Sequence, residues 1–144
     1  VISLELHEVS SGTLETIRLI RNECRLFMTN NQEEITKSQQ VKWFSSLPSN
    51  IKPFIAISSN IAIGYAILKI EDSSCLLTGG LVESVRGKGY GRMLFQKLID
   101  LSIEMGKEPR LDVLQTNEKA IRLYSSLGFK VFDKNDKIYM MRYV

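Results

Sequence analysis

The stretch Ser84-Val-Arg-Gly-Lys-Gly-Tyr-Gly-Arg92 sets three glycines on alternate positions among basic side chains. Glycine lacks the Cβ that keeps other residues away from a ligand, and it tolerates φ values they avoid. If a helix follows, its first-turn N–H groups have no intrahelical partner and carry the positive end of the helix dipole, which suits a phosphate. Spacing excludes two common phosphate loops. Around Lys88 the glycine spacing and following hydroxyl of G-x-x-x-x-G-K-[ST] are absent, and Leu94 stands where the third glycine of G-x-G-x-x-G would fall. What remains is Arg86-x-x-Gly89-x-Gly91, read as a diphosphate cradle with Arg86, Lys88 and Arg92 as flanking charges. The alternative is a tight turn in contact with nothing.

A second constellation lies downstream in Leu111-Asp-Val-Leu-Gln-Thr-Asn-Glu-Lys-Ala-Ile-Arg-Leu-Tyr-Ser-Ser-Leu-Gly-Phe-Lys130. Asn117 opens a helix and Tyr124 follows seven residues on, about two turns, so both lie on one face roughly 10 Å apart. A ligand arm along that face would meet an amide at one end and a phenol at the other. Each residue also has a plain structural use, Asn117 as an N-cap and Tyr124 in line with Ala120, Ile121 and Leu127 as core.

The elements that must position these residues follow from periodicity. Ile2 to Val9 alternates as a strand, and Thr13 can cap a helix carrying Leu14, Ile17, Ile20 or Arg21, and Cys24 on one side. After a polar stretch, Thr36-Lys-Ser-Gln39 has capping-box spacing and opens a helix through Leu47, which Pro48-Ser-Asn ends. Strands Pro53–Ser58 and Ile61–Ile70 are separated by Ser59-Asn60, a hairpin signal, and Ser74–Val82 leads into the glycine loop. Leu94, Leu98, Leu101 and Met105 mark a long helix stopped by Gly106. Arg110–Leu114 is a strand, Asn117–Leu127 a helix closed by Gly128, and two short strands surround Asp133-Lys-Asn-Asp136. The order β-α-α-β-β-β-α-β-α-β-β predicts a mixed α+β fold in one domain spanning residues 1–144.

Composition bounds the rest. With 44% hydrophobic and 24% charged residues in 144, the chain has the makeup of a globular domain with one core. No apolar run reaches the ~20 residues needed to span a bilayer, and no signal pattern is seen at the N-terminus, so neither membrane insertion nor export is expected. A net charge of +3 tolerates an anionic ligand without marking a nucleic-acid binder. Cys24 and Cys75 form no CxxC motif and cannot complete a usual zinc set with His7; reduced thiols, no metal and a cytoplasmic location are expected.

Arg86-Gly-Lys-Gly89-Tyr-Gly91 with its helix, and Asn117-x-x-Ala120-Ile-x-Leu-Tyr124-x-x-x-Gly128-Phe129, stand in that order with one strand between. The pair resembles the Gcn5-related N-acetyltransferases (GNAT), which move acetyl from acetyl-coenzyme A to amines. The resemblance covers residues 51 to 144, and the earlier element order agrees with it. It implies a central mixed, mostly antiparallel sheet of six to seven strands flanked by four helices. It further implies that the amides of Gly87, Lys88, Gly89, Tyr90, Gly91 and Arg92 hold the coenzyme A pyrophosphate. Leu81 and Val82 would pair their backbone with the pantetheine arm, Asn117 would contact it from the other side, and Tyr124 would protonate the departing thiolate.

Such chemistry needs an oxyanion donor, for which an N–H near Val82 is expected, and a route for the amine's proton. Glu83, Asp112 and Glu71 are the candidate bases, beside an ordered water relay; Glu83 follows the strand immediately. Acceptor choice is expected in the segment before the first hairpin. There Arg21-Asn22 and Gln39-Gln40-x-x-Trp43-Phe44 resemble a branch of the family that includes amino-sugar acetyltransferases. Trp43 could stack on a sugar or base, and Glu33 and Glu34 could attract a cationic amine. Helix packing and a solvated loop are the respective alternatives. The acceptor is expected to be a small-molecule or protein amine, and the chain a monomer or a homodimer, with the C-terminal strand one edge that could pair. Two other readings stay open: a catalytically inactive coenzyme A-binding module of the same fold, and an unrelated phosphate-binding scaffold.

Overall fold

A computed structural model describes residues 2–29 and 31–144. The strands are β1 (Glu5–Glu8), β2 (Ile51–Ser58), β3 (Ile61–Ile70), β4 (Ser74–Leu81), β5 (Glu108–Leu114), β6 (Phe129–Lys134) and β7 (Ile138–Tyr143). The helices are α1 (Leu14–Glu23), α2 (Lys37–Ser45), α3 (Tyr90–Glu104) and α4 (Glu118–Leu127). Their order along the chain is the one read from periodicity.

Local chemistry accounts for most boundaries. Thr36 and Gln39 form the reciprocal capping box: the Gln39 N–H donates to Thr36 Oγ1 and the Thr36 N–H to Gln39 Oε1. That helix stops at Ser45, short of Leu47, where the hydroxyls of Ser45 and Ser46 both donate to the Lys42 carbonyl. Ser59 and Asn60 both take positive φ (50° and 65°), the conformation a two-residue hairpin turn requires. Asn135 Oδ1 accepts the N–H groups of Lys137 and Ile138, setting the last turn one residue later than expected.

The seven strands form one sheet in the order β1-β2-β3-β4-β5-β7-β6, and every neighbouring pair is antiparallel except β4–β5. The C-terminal strand is therefore internal, not an edge: the last hairpin folds back so that β7 inserts between β5 and β6. The outer strand β6 carries a bulge between Val131 and Asp133, which disfavours pairing with another chain.

Helices cover both faces. Leu94, Phe95, Leu98 and Ile99 of α3 pack with Ala66, Leu68, Leu77, Leu111, Val113, Phe129 and Met141, and α4 adds Ala120, Ile121 and Tyr124 at the margin. On the other face Leu14, Ile17 and Ile20 of α1 and its C-cap Cys24 close over Tyr65, with Trp43 and Phe44 packed against them. Burying each leucine of this core stabilises the fold by about 1.5–3 kcal/mol.

Candidate functional site at the split between β4 and β5

The parallel pair is short. Its register holds for Ser74/Glu108, Cys75/Pro109 and Leu76/Arg110, and then the strands part. From Leu77 onward β4 has β3 on one side and a wedge-shaped opening on the other. Which amides face the wedge follows from the antiparallel alternation. Val82 N–H donates to the Ile63 carbonyl at 2.8 Å, so Val82 points toward β3, as does Gly80 two residues earlier. Gly79 and Leu81 have the opposite phase and face the wedge. The Val82 N–H, expected near the oxyanion, is thus committed to β3, whereas the N–H groups of Gly79 and Leu81 face the wedge. Pairing phase depends on the partner strand, so no pattern within β4 itself announces it. The Gly79-Gly80 pair was the available cue, since glycine inside a strand marks a close approach. A Cβ on Gly79 would sit 3.3 Å from Phe95 Cζ, and one on Gly80 would sit 2.8 Å from Cys24 Sγ.

Beyond β4, a 3₁₀ turn at Glu83–Val85 leads into the glycine loop. The three glycines do different work. Gly87 (φ 77°) and Gly89 (φ 91°) occupy left-handed backbone, and nothing lies within 4 Å of the Cβ position of Gly87. Gly91 is helical, and its missing side chain lets Leu123 of α4 approach, where a Cβ would lie 3.3 Å from Leu123 Cδ2. The first α3 bond runs from Met93 N–H to the Gly89 carbonyl. The six amides of residues 87–92 make no hydrogen bond among the described residues. Six adjacent free donors at the positive end of a 15-residue helix are chemically suited to an anion such as a diphosphate.

The three flanking charges differ in their contacts. Lys88 is exposed beside the loop. Arg92 donates to Ser126 Oγ of α4. Arg86 turns inward: its Nε donates to the Leu81 carbonyl at 3.0 Å, its Nη2 lies 3.6 Å from Cys24 Sγ, and its guanidinium stands 5.2 Å from the Phe27 ring centroid. Cys24 Sγ also donates to the Leu81 carbonyl at 3.3 Å, and burial pushes that thiol's pKa up. Arg86 therefore clamps the end of β4, and Cys24 and Phe27 join it in a cluster that sequence reasoning missed, because these partners are about sixty residues apart.

Helix α4 borders the wedge from the α3 side. Asn117 is its N-cap, with Oδ1 accepting the Ala120 N–H at 3.3 Å, which leaves the side-chain amide nitrogen to act as a donor. The Tyr124 ring packs 4.8 Å from Phe95 and 6.2 Å from Phe129, centroid to centroid. Burial holds its phenol well above the usual tyrosine pKa, and its hydroxyl has no hydrogen bond among the described residues. A cavity of about 400 Å³ opens at this end, lined by Leu26, Phe27, Leu114, Thr116, Asn117, Glu118, Lys119 and Arg122. Another of about 560 Å³ runs beside Gly89, Arg92, Gln96 and Lys97.

The expected acceptor residues make contacts within the chain. Arg21 donates to the carbonyls of Asn31 and Glu33, and Asn22 makes a two-way pair with Ile35, its Nδ2 donating to the carbonyl and its Oδ1 accepting the N–H at 2.8 Å. Both staple the α1–α2 connection. Trp43 and Phe44 are partly buried against the α1 cluster. Glu33 and Glu34 are exposed. Among the bases, Glu83 is exposed on the turn beyond the strand, and Glu71 pairs with Lys69 at 3.6 Å. Asp112 alone lies on a strand bordering the wedge.

No curated protein matches the chain by sequence. Among solved structures, yncA of Salmonella typhimurium, determined with its cofactor acetyl-CoA, is 19% identical, with a TM-score of 0.78 over 97% of this chain and 92% of that one. The spermidine N-acetyltransferase of Vibrio cholerae, in complex with CoA and spermine, is 20% identical, with a TM-score of 0.81 over 96% and 94%. A domain from Methanocaldococcus jannaschii is 19% identical, with a TM-score of 0.85 over 99% of both. These likenesses show a shared fold. The Acetyltransferase (GNAT) family profile matches residues 14–129, which include the split strands, the glycine loop and α4, and the chain belongs to that family.

Proposed function

We propose that the chain is an acetyl-coenzyme A-dependent N-acetyltransferase acting on a primary amine. The observation that carries this is the row of six unpartnered amides from Gly87 to Arg92, opening directly onto a wedge whose inner edge offers Gly79 and Leu81. The residues present fit the donor: the loop would take its diphosphate, with Lys88 as the exposed charge, and the unpaired edge of β4 would run beside its amide-rich arm as a substitute strand. With the diphosphate at the mouth, the thioester end reaches the deeper part, where the Gly79 N–H would receive the carbonyl oxygen as it gains charge. One such donor can contribute about 3–4 kcal/mol to the barrier. Asn117 would contact the arm through its free amide nitrogen. Tyr124, kept neutral by burial, would give its proton to the departing sulfur.

Calorimetric titration with acetyl-CoA, dephosphorylated CoA, ADP and ATP tests this reading. Micromolar binding that needs the pantetheine arm is expected, followed by acetylation of members of an amine panel of amino sugars, polyamines, amino acids and peptide N-termini. Equal affinity for ADP and acetyl-CoA, or none for either, overturns it.

A further inference from the structure

Asp112 is half-buried on β5, at the level where that strand leaves β4. Its neighbours Leu111 and Val113 are buried against α3, so the strand alternation turns Asp112 to the opposite face, the side on which α1 packs. It lies two residues past the last β4–β5 pair, level with Thr78 and beside Gly79 across the wedge. On the β7 side it stands opposite Met140. The other charged groups of that face on β5 and β7 are already engaged. Arg110 donates to Glu108 Oε1 at 2.8 Å and lies 4.9 Å from the Phe132 ring centroid, and Arg142 stands over the same ring at 5.9 Å. On β4 the same-face neighbours, Leu76 and Thr78, carry no charge, and α3 packs on the other side of the sheet. Among the described residues no hydrogen bond or ion pair reaches the Asp112 carboxylate, and burial raises its pKa. Tyr124 lies on the other side of the wedge, against Phe95, the residue that also faces Gly79.

A half-buried carboxylate without a protein partner is stabilised in its charged form when a ligand supplies a cation. Here the wedge has an acid on its α4 side and an unpaired anion on its α1 side, with the Gly79 amide between them. We propose that Asp112 binds the ammonium form of the acceptor on the α1 side of the wedge and accepts the proton that frees its lone pair, which makes the acceptor a strongly basic aliphatic amine. Such amines titrate near ~10 and are almost wholly protonated at neutral pH, so a weakly basic aromatic amine has no use for this group.

The step balances. The ammonium gives one proton to the Asp112 carboxylate, which later releases it to solvent. The neutral nitrogen bonds to the acetyl carbon, the carbon–sulfur bond breaks, and Tyr124 protonates the sulfur. The second proton lost by the new amide nitrogen restores Tyr124. The inference rests on the acetyl-transfer reading, and acetyl-CoA calorimetry separates the two: a wild-type protein that does not bind acetyl-CoA loses that reading itself.

The direct test is carbon-13 NMR of the aspartate carboxyls in the CoA-saturated protein, titrated with ethylammonium chloride. The Asp112 resonance is expected to move and its titration to shift to lower pH, with no change for tetramethylammonium chloride at equal ionic strength. An Asp112 signal blind to ethylammonium overturns the proposal. In turnover, Asp112→Asn should lower kcat/KM for a basic amine by about 100-fold or more and remove the acidic limb of its pH profile. A weakly basic amine should lose far less, and acetyl-CoA affinity should stay within about twofold of wild type. Equal losses for both amines, or loss of acetyl-CoA binding, overturn the assignment. Thermal melting supplies a readout that a structural residue would move the other way. Because the folded-state pKa is raised, the ionised carboxylate penalises the fold at pH values above it, and the penalty vanishes below the unfolded value of ~3.9. Asp112→Asn should therefore raise Tm at pH 7.5 and leave it unchanged at pH 3.5, whereas a lower Tm at pH 7.5 makes Asp112 structural.

Discussion

Arg86→Met separates two roles for one side chain. If Arg86 were a phosphate ligand, removing a charge-assisted hydrogen bond would cost about 1.5–3 kcal/mol of binding, a tenfold to hundredfold loss of affinity for ADP, which reports the diphosphate contact alone. The geometry says otherwise. Its guanidinium donates to the Leu81 carbonyl at 3.0 Å and lies over Phe27, leaving only the Cys24 thiol on that oxygen when it is gone. The hydrogen bond is worth about 1.5–3 kcal/mol and the ring contact about 0.5–1 kcal/mol, so folding stability should fall by about 2–4 kcal/mol. At about 3 °C per kcal/mol for a chain of this size, Tm should drop by about 6–12 °C. ADP affinity, measured by calorimetry well below the new Tm, should stay within about twofold of wild type. Arg86→Lys should behave almost as badly in the melt, since the ammonium keeps the charge without the planar fork. An unchanged Tm with a tenfold weaker ADP complex would refute the clamp and restore the phosphate role.

Other outcomes follow from the same geometry. Gly89→Val should abolish acetyl-CoA binding, measured calorimetrically, with the fold retained at a cost of about 1–3 kcal/mol, because a β-branched residue resists a φ of 91° while no backbone neighbour obstructs it. Gly91→Ala should instead lower thermal stability with modest loss of affinity, as its methyl meets Leu123. Tyr124→Phe should lower kcat by about 10²-fold or more and leave the acetyl-CoA Kd unchanged; equal turnover would return Tyr124 to the core. Because burial raises the Tyr124 pKa, the pH profile of the wild type should show no alkaline fall due to this group below about pH 10. Cys24, buried and with a raised pKa, should resist iodoacetamide in the folded protein at pH 7.5 and react only after denaturation, as followed by mass spectrometry.

The element order was legible because each boundary has a local chemical signal. The Thr36/Gln39 box, the Ser59-Asn60 turn and the Gly106 and Gly128 stops all work within four residues of chain, and all stand where their residues put them. The glycine loop was legible for the same reason, although Gly91 turned out to serve helix packing and not a positive φ. The contacts that the sequence did not announce share one cause. Arg21 and Asn22 have partners ten or more residues away along the chain, and Arg86 joins Leu81, five residues back, to Cys24 sixty-two residues away. Charge beside a glycine loop suggests a ligand, yet the backbone carbonyls at the end of β4 and in the α1–α2 connection claimed these groups first. The phase of Val82 was hidden similarly, since only the register with β3 decides which amides face outward. For Asp112 the alternation with Leu111 and Val113 was visible, but not which face carries α1 or that its strand leaves β4 at that level.

The short β4–β5 pair has a mechanical consequence. Strands β1–β4 and strands β5, β7 and β6 are two blades joined along a seam of three residue pairs. Elsewhere in the sheet, neighbouring strands are laced over four to eight pairs. The seam is thus the compliant line of the molecule, and α3, which packs on both blades, is its backing. A ligand bonded to the open edge of β4 would act as a rivet along that line, coupling the opening angle of the blades to its occupancy. Amide exchange should register this as slowed exchange at Gly79 and Leu81, while the β2–β3 ladder, already laced, stays as it was.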